Sequence, residues 1–219
     1  MKATFRILSV ALVSVLFVGC AEDPTKDKTK ATVNDAVEVD TPSTEGNEPA
    51  EMAEPEGTKY VIDTGSSNIN FTGSKKTGPH SGGWSEYEGT VIVPDGDFTK
   101  AYIKIVIQMA STFSDDKDLT VKLIGKEFFE AETYPTATFL ATSIEGSGEE
   151  FNVSGNLTLH GVTKNLTFPA LVELSDDSLI AEAEFSIDRK DFEINYDGLA
   201  DNVINDGVLM LFYVEGNVE

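Results

Sequence analysis

Four stretches of this chain place an apolar residue at every second position, and that period restricts the fold more than any other feature. Phe151, Val153, Gly155, Leu157 and Leu159 alternate with Asn152, Ser154, Asn156, Thr158 and His160. Leu166, Phe168, Ala170, Val172 and Leu174 repeat the pattern, as do Leu179, Ala181, Ala183, Phe185 and Ile187. Ile103, Ile105 and Ile107 alternate with Tyr102, Lys104 and Gln108. Successive side chains of a strand point to opposite faces, so each stretch is a strand with one apolar and one wet face. Val208–Val214 is apolar on both faces and predicts a well-covered strand. Turn signals separate these runs at Pro94-Asp95-Gly96-Asp97, Gly146-Ser147-Gly148, His160-Gly161 and Ser175-Asp176-Asp177.

One segment changes period. Asp115-Asp116-Lys117-Asp118 precedes Leu119, Leu123 and Ile124 at helical spacing, with acids where the helix dipole favours them. A short helix is expected near 116–124, a turn at Phe128-Phe129, and a second short helix or turn around Leu199–Ile204. Antiparallel strands from 58 to 219 predict a closed barrel or a sandwich. A barrel of about eight strands has an interior that side chains just fill, or that holds one slender ligand, and periodicity does not choose between the two.

The N-terminal part is a different polymer. Lys2 and Arg6 precede the apolar run Ile7–Val18, which is too short to span a bilayer, and small residues lead into Cys20, the only cysteine. This predicts a signal peptide over 1–19 and lipidation of Cys20, with Phe17 where such a box usually has Leu. The chain is then exported and lipid-anchored on the periplasmic side of the cell envelope. No Asp follows Cys20 directly, which by the enterobacterial rule favours the outer membrane. With no second cysteine there is no disulfide, and the core alone must hold the domain together. Residues 21–57 contain Pro24, Pro42, Pro49 and Pro55, many acids and no aromatic residue, so 20–57 reads as the lipidated cysteine and a disordered acidic stalk. As a flexible coil it would reach roughly 35 Å. The net charge of −22 repels phosphate backbones and argues against nucleic acid as a partner.

Five motifs, in order, then resemble one family. Tyr60-Val61-Ile62-Asp63 with Ser66 and Ile69, and Thr72–Gly78 with His80, Gly82 and Gly89, are similar to the opening strand and first hairpin of YceI-like proteins. Leu123–Phe129 with Tyr134–Phe139, Val153–Thr163, and Arg189-Lys190-Asp191-Phe192 with Ile194 resemble its later stretches, with Glu193 where the family usually has Gly. The resemblance covers essentially all of 58–219. It implies an extended lipocalin-like antiparallel β-barrel of about eight strands with a short helix, in which an apolar lipid such as a polyisoprenoid, an isoprenoid quinone or a fatty-acid derivative lies inside, for storage, transport or stress protection. On that reading the barrel interior includes Phe71, Ile105, Ile107, Phe139, Leu157, Leu159, Phe168, Phe185, Met210 and Phe212. Lys75, Lys76 and His80 lie in a Gly-rich hairpin, a basic spot on an acidic domain, and are candidate head-group contacts. Arg189, the single arginine beyond Arg6, is expected to pair structurally beside Asp191.

Competing chemistry is sparse. Two histidines, His80 and His160, without cysteine partners make a weak metal set, and Asp201, Asn202, Asn205 and Asp206 lack EF-hand spacing. No metal or other cofactor is expected. No nucleophile elbow, zincin helix or nucleotide-binding glycine pattern is present, so the domain is not expected to be an enzyme. The alternatives are a filled barrel acting as an interaction or scaffold protein, and, third, a hydrolase or isomerase working through paired carboxylates on an envelope lipid or glycan.

Overall fold

The architecture is a computed structural model that describes residues 23–38, 54–199 and 202–219. Strands form where the alternation places them. In chain order they are β1 (Thr32–Asp35), β2 (Thr58–Ile62), β3 (Asn68–Lys75), β4 (Gly78–Trp84), β5 (Tyr87–Val93), β6 (Tyr102–Gln108), β7 (Thr112–Ser114), β8 (Thr136–Ser147), β9 (Glu150–Leu159), β10 (Val162–Leu174), β11 (Ser178–Asp188), β12 (Gly198–Leu199), β13 (Asn202–Val203) and β14 (Gly207–Val218). The helix α1 (Lys117–Ile124) lies between β7 and β8.

All pairings between the named strands are antiparallel. The path β2-β5-β6-β8-β9-β10-β11-β14 returns to β2 and closes an eight-stranded barrel. β14 is long enough to serve two partners end to end on one edge. Its end pairs with β2 (Gly216 with Ile62) and its start with β3 (Leu209 with Thr72). β3, β4 and β7 thereby extend the wall beyond one rim, and α1 follows them across that rim. This is the lipocalin-like extended barrel that the family resemblance implies, and of the barrel and the sandwich that the alternation allows it is the barrel.

Local chemistry explains the turns. The β9–β10 turn is two residues, His160 and Gly161, with φ of 52° and 76°. Two positive φ values match the right-handed twist of the strands they join, and glycine takes one of them without strain. α1 begins where Asp116 Oδ1 accepts the Leu119 N–H at 2.9 Å, so the expected acidic start caps the helix. The 3-10 turn Phe98–Lys100 puts the Phe98 ring against Phe151, centroids 4.9 Å apart, at the rim away from α1.

Two expectations are corrected. Where a second short helix or turn was expected, Gly198–Leu199 and Asn202–Val203 form a small two-stranded ladder, with 200–201 outside the described residues. The ladder is held from outside, since the Lys76 N–H donates to the Val203 carbonyl and the Asn205 N–H to the Ser74 carbonyl. The stalk is also not a free coil throughout. β1 pairs with β10, with Thr32 opposite Thr167 and Asp35 opposite Lys164. Just before it, the Ala31 N–H donates to the Ser186 carbonyl and the Ser186 N–H to the Thr29 carbonyl, both at 2.8 Å. β10 and β11 pair only from Leu171–Glu182 to Leu174–Leu179, beside their turn. Beyond that they part, and residues 29–35 fill the wedge between them. Ala31 is buried and Val33 packs on the core. The composition of this segment is that of a coil, but two strand edges with unmet N–H and C=O groups recruit it. Residues 1–22 and 39–53, which contain the expected signal peptide, Cys20 and the rest of the expected stalk, lie outside the described residues.

Candidate functional site

The barrel is hollow. Its interior holds a cavity of about 400 Å³, within the range of roughly 300–1,000 Å³ usual for ligand sites. All ten residues expected in the barrel interior line it: Phe71, Ile105, Ile107, Phe139, Leu157, Leu159, Phe168, Phe185, Met210 and Phe212. Phe71, Leu159, Phe168, Phe185 and Met210 are buried outright. Ile105, Ile107, Phe139, Leu157 and Phe212 keep part of their surface open while facing inward.

Aromatic rings shape the walls. Phe168 stacks on Phe185 with centroids 4.2 Å apart and planes 12° from parallel, and Phe212 meets both edge-on at 6.3 and 5.4 Å. Phe139 leans on Phe168 at 5.7 Å. The Phe139 ring has room because position 155 is glycine: a Cβ there would lie 2.2 Å from Phe139 Cζ. A second group, Phe71, Trp84 and Phe129, sits toward the α1 rim, with centroid separations of 5.1, 5.9 and 6.5 Å. The Trp84 indole N–H is buried there with no acceptor among the described residues. An unmet buried donor costs about 1–3 kcal/mol.

Most of the polar lining gathers at the α1 rim. Lys75, His80, Lys122, Arg189 and Asn205 line the cavity, and Lys122 is exposed, so the cavity reaches the surface there; Glu182 on β11, also exposed, is a lining residue away from this rim. Of the three basic residues singled out in the hairpin, Lys75 and His80 are on the cavity wall and Lys76 is exposed beside it, outside the lining. His80 Nδ1 lies 2.9 Å from Asp115 Oδ1, and the Ser81 N–H donates to Asp115 Oδ2 at 3.1 Å. Partial burial pushes the Asp115 carboxyl up, but the hydrogen bonds from His80 and Ser81 and the attraction of His80 outweigh it, and the net shift is downward. A depressed carboxyl contributes stability above its unfolded pKa and loses it as pH falls through its folded pKa. For Asp115→Asn we expect faster amide exchange at Ser81, a loss of about 0.2–1 kcal/mol as for a surface pair, and no effect once pH falls below the folded pKa. Hydrogen exchange at two pH values reads this.

Arg189 does not pair with Asp191. Its guanidinium is 5% exposed, and it donates to the Asn205 carbonyl (Nε, 3.2 Å), the Ile194 carbonyl (Nη1, 2.5 Å) and Asp206 Oδ1 (Nη2, 2.9 Å). His160 Nδ1 lies 3.2 Å from the Phe192 carbonyl, and its ring packs on Tyr134. The two histidines therefore have separate structural partners. Among the described residues no three His, Cys, Asp or Glu side chains come together as a metal site, and no helix is long and apolar enough to cross a membrane. Several cavity residues were not foreseen as such. Leu119, Leu123, Phe128 and Phe129 were visible as a helix and a turn but not as wall, while Ile194, Tyr196 and Ile204 come from irregular loops that carry no period.

Comparison with known proteins agrees with this geometry. The YceI-like domain model matches residues 60–216. The chain belongs to the YceI-like family. The protein YceI of Salmonella arizonae is 32% identical over 122 residues, which cover 53% of this chain and 64% of that protein. The chain thus spans about two-thirds or less of the curated relatives it matches. Among solved structures, BcnA of Burkholderia cenocepacia superposes with a TM-score of 0.63 at 24% identity, covering 70% of this chain and 98% of that one. A polyisoprenoid-binding domain from Saccharophagus degradans, implicated in plant cell wall breakdown, gives 0.61 at 22% identity over 73% and 98%. At such identities the likeness is one of fold. β1 lies outside the matched range, so the YceI-like domain is here completed by a strand from the preceding segment.

Proposed function

We propose that this YceI-like protein binds a long-chain apolar lipid inside its barrel, as a carrier and not a catalyst. The single observation that supports the reading most is the apolar cavity, whose walls are the inward faces of the alternating strands. Burial of a methylene is worth about 0.8 kcal/mol, so a twenty-carbon chain gains roughly 16 kcal/mol gross. Association and chain ordering oppose it by about 4–15 kcal/mol. An apolar tunnel therefore holds such a chain without a charged contact. A polyisoprenoid, an isoprenoid quinone or a fatty-acid derivative has the required shape, and the fold is shared with a domain described as polyisoprenoid-binding. A polar or anionic head would lie at the α1 rim beside Lys75, His80 and Lys122. The setting we propose is the periplasmic side of the cell envelope, the outer membrane favoured, with the chain anchored through lipid on Cys20 for storage, transport or stress protection.

Mass spectrometry of organic extracts from the purified protein tests the cargo. We expect one family of long apolar molecules in near-stoichiometric amount. A stable barrel that is extracted empty and then rejects added isoprenoids would overturn the reading. The intact mass of the mature chain tests the anchor, which requires a diacylglycerol and an acyl chain on Cys20.

A further inference from the structure

We infer that the α1 rim, where the cavity opens, is the face this protein lays on its membrane, and that the segment after Cys20 is a short clamp that fixes this orientation. The inference rests on the lipidation of Cys20 proposed above. It departs from a long stalk, which would leave the barrel free to turn in any direction.

The first support is covalent reach. Asp23 is three residues from Cys20, and an extended chain covers at most about 11 Å over that distance. From Asp23 on, the chain is held on the barrel. Thr25 packs over Gly207, where a Cβ would lie 3.0 Å from the Thr25 hydroxyl. Lys28 pairs with Glu184, and Ala31 exchanges backbone hydrogen bonds with Ser186. The anchor point is thus tied to the end of β11 and the start of β14.

The second support is where those strand ends lie. Gly207 is opposite Asp188 and follows Asp206, which accepts from Arg189. Asn205 bonds to Ser74 through both its backbone and its side chain, and Lys75 bridges to Ile204. An unbroken set of contacts therefore runs from Thr25 to the β3–β4 hairpin at the cavity opening. The lipid anchor and the opening share one end of the barrel.

The third support is the chemistry of that end. Lys75, Lys76, Lys117, Lys122 and Lys126 surround the rim, and none has a carboxylate within 4.0 Å among the described residues. Lys59, Lys100 and Lys164 elsewhere on the wall are paired, with Glu219, Asp97 and Asp35, as is Lys190 beside the opening, with Asp197 and Asp206. Val121 on α1 and Val203 on β13 project at the same end, 72% and 52% exposed. Asp115, Asp116, Asp118, Glu127, Glu130 and Glu132 on and around α1, with Asp197 and Asp206 beside Arg189 and Lys190, stand at the same end, so the face is mixed in charge rather than basic. A single mixed face cannot hold a strongly acidic protein on anionic lipid by itself. The anchor supplies the attachment, and the lysines and the two valines select which side meets the headgroups.

The test uses the acylated full-length protein in vesicles of phosphatidylcholine and phosphatidylglycerol carrying headgroup quenchers. One fluorescent probe is attached at Thr77→Cys, on the hairpin tip, and another at Glu149→Cys, in the turn at the opposite rim. Cys20 does not compete for label, because its sulfur is in thioether linkage. We expect several-fold stronger quenching at 77 than at 149. A flexible Gly/Ser segment inserted between Glu22 and Asp23 should remove most of the contrast, because it frees the barrel from the clamp, and an unchanged contrast would overturn the clamp. Val121→Asp with Val203→Asp, the segment left at its natural length, should reduce the contrast more modestly. Equal quenching at the two sites, or stronger quenching at 149, overturns the orientation. Absence of acylation in the intact mass overturns it through its premise. An empty cavity with the quenching contrast intact would sink the lipid-carrier reading and leave the orientation standing.

Discussion

Replacing Ala183 with Trp is expected to remove lipid binding while leaving the barrel folded. Ala183 lies on β11, opposite Phe212 across the β11–β14 ladder, and lines the cavity. An indole there would project into space that the wild-type protein leaves open, between the Phe168–Phe185–Phe212 group and the facing wall. If it excludes about five methylenes of a bound chain, at about 0.8 kcal/mol each, binding weakens by about 4 kcal/mol, about a thousandfold in Kd. Overpacking a filled core costs about 1–3 kcal/mol, but this side chain enters a void, so the unfolding midpoint of the lipid-free protein should fall little. Glu173→Trp on the outer face of β10 is the control, because that residue is exposed. Titration of a fluorescent polyisoprenoid analogue into both variants reads the difference. Equal affinity of the Ala183→Trp protein and the control, with both folded, would place the ligand outside the barrel.

That such a substitution can be chosen at all reflects how much of the wall was written in the sequence. A strand that is wet on one side and buried on the other must alternate, and the register of one residue decides which side chains face inward. Phe151 to Leu159, Leu166 to Val172 and Leu179 to Ile187 therefore announced their inward faces directly. β14 was legible for the opposite reason, since Leu209 is buried on one face while Met210 and Phe212 line the cavity on the other. The hollow itself was not legible. Whether the side chains of facing strands meet in the middle or stand back from each other depends on the barrel radius, and that is set by strand number and stagger rather than by any one strand. The rim was harder still. Ile194, Tyr196 and Ile204 reach the cavity from loops whose paths are fixed by hydrogen bonds to distant residues, such as Asn205 to Ser74.

The segment 29–35 was misread for a related reason. Composition reports whether a stretch can build its own core, and this one cannot. It says nothing of whether a neighbouring wall offers an edge. β10 and β11 leave backbone groups unpaired where they part, and a chain that passes nearby can satisfy them with almost any sequence. Ala31 and Val33 are small enough to fit the wedge, and Asp35 is placed to meet Lys164 at 3.0 Å. If Cys20 carries lipid as proposed, the strand that seals the wall would also tie that anchor to one end of it.

The second large effect is expected at Arg189. Arg189→Leu should lower stability by about 3 kcal/mol, because it leaves the Asn205 and Ile194 carbonyls without their donor at about 1–3 kcal/mol each. Asp206 keeps Lys190 at 3.2 Å and is 43% exposed, so its loss of Arg189 adds little. For a domain of this size about 3 kcal/mol corresponds to a fall in Tm of about 6–12 °C. Arg189→Lys should recover only part of it, since an ammonium on a flexible stem cannot donate along three fixed directions as the planar guanidinium does. The damage should also be local. Arg189 ties the 3-10 turn Arg189–Phe192, the loop through Ile194 and the start of β14 into one unit beside the cavity opening. Hydrogen exchange should therefore rise first at the Ile194, Ile204 and Asn205 amides, before β8, β9 and β10 are affected, and a retained lipid should be released faster than in the wild type. Uniform loosening of the whole barrel, or unchanged lipid release from a protein whose rim amides exchange freely, would show that this clamp does not control access to the cavity.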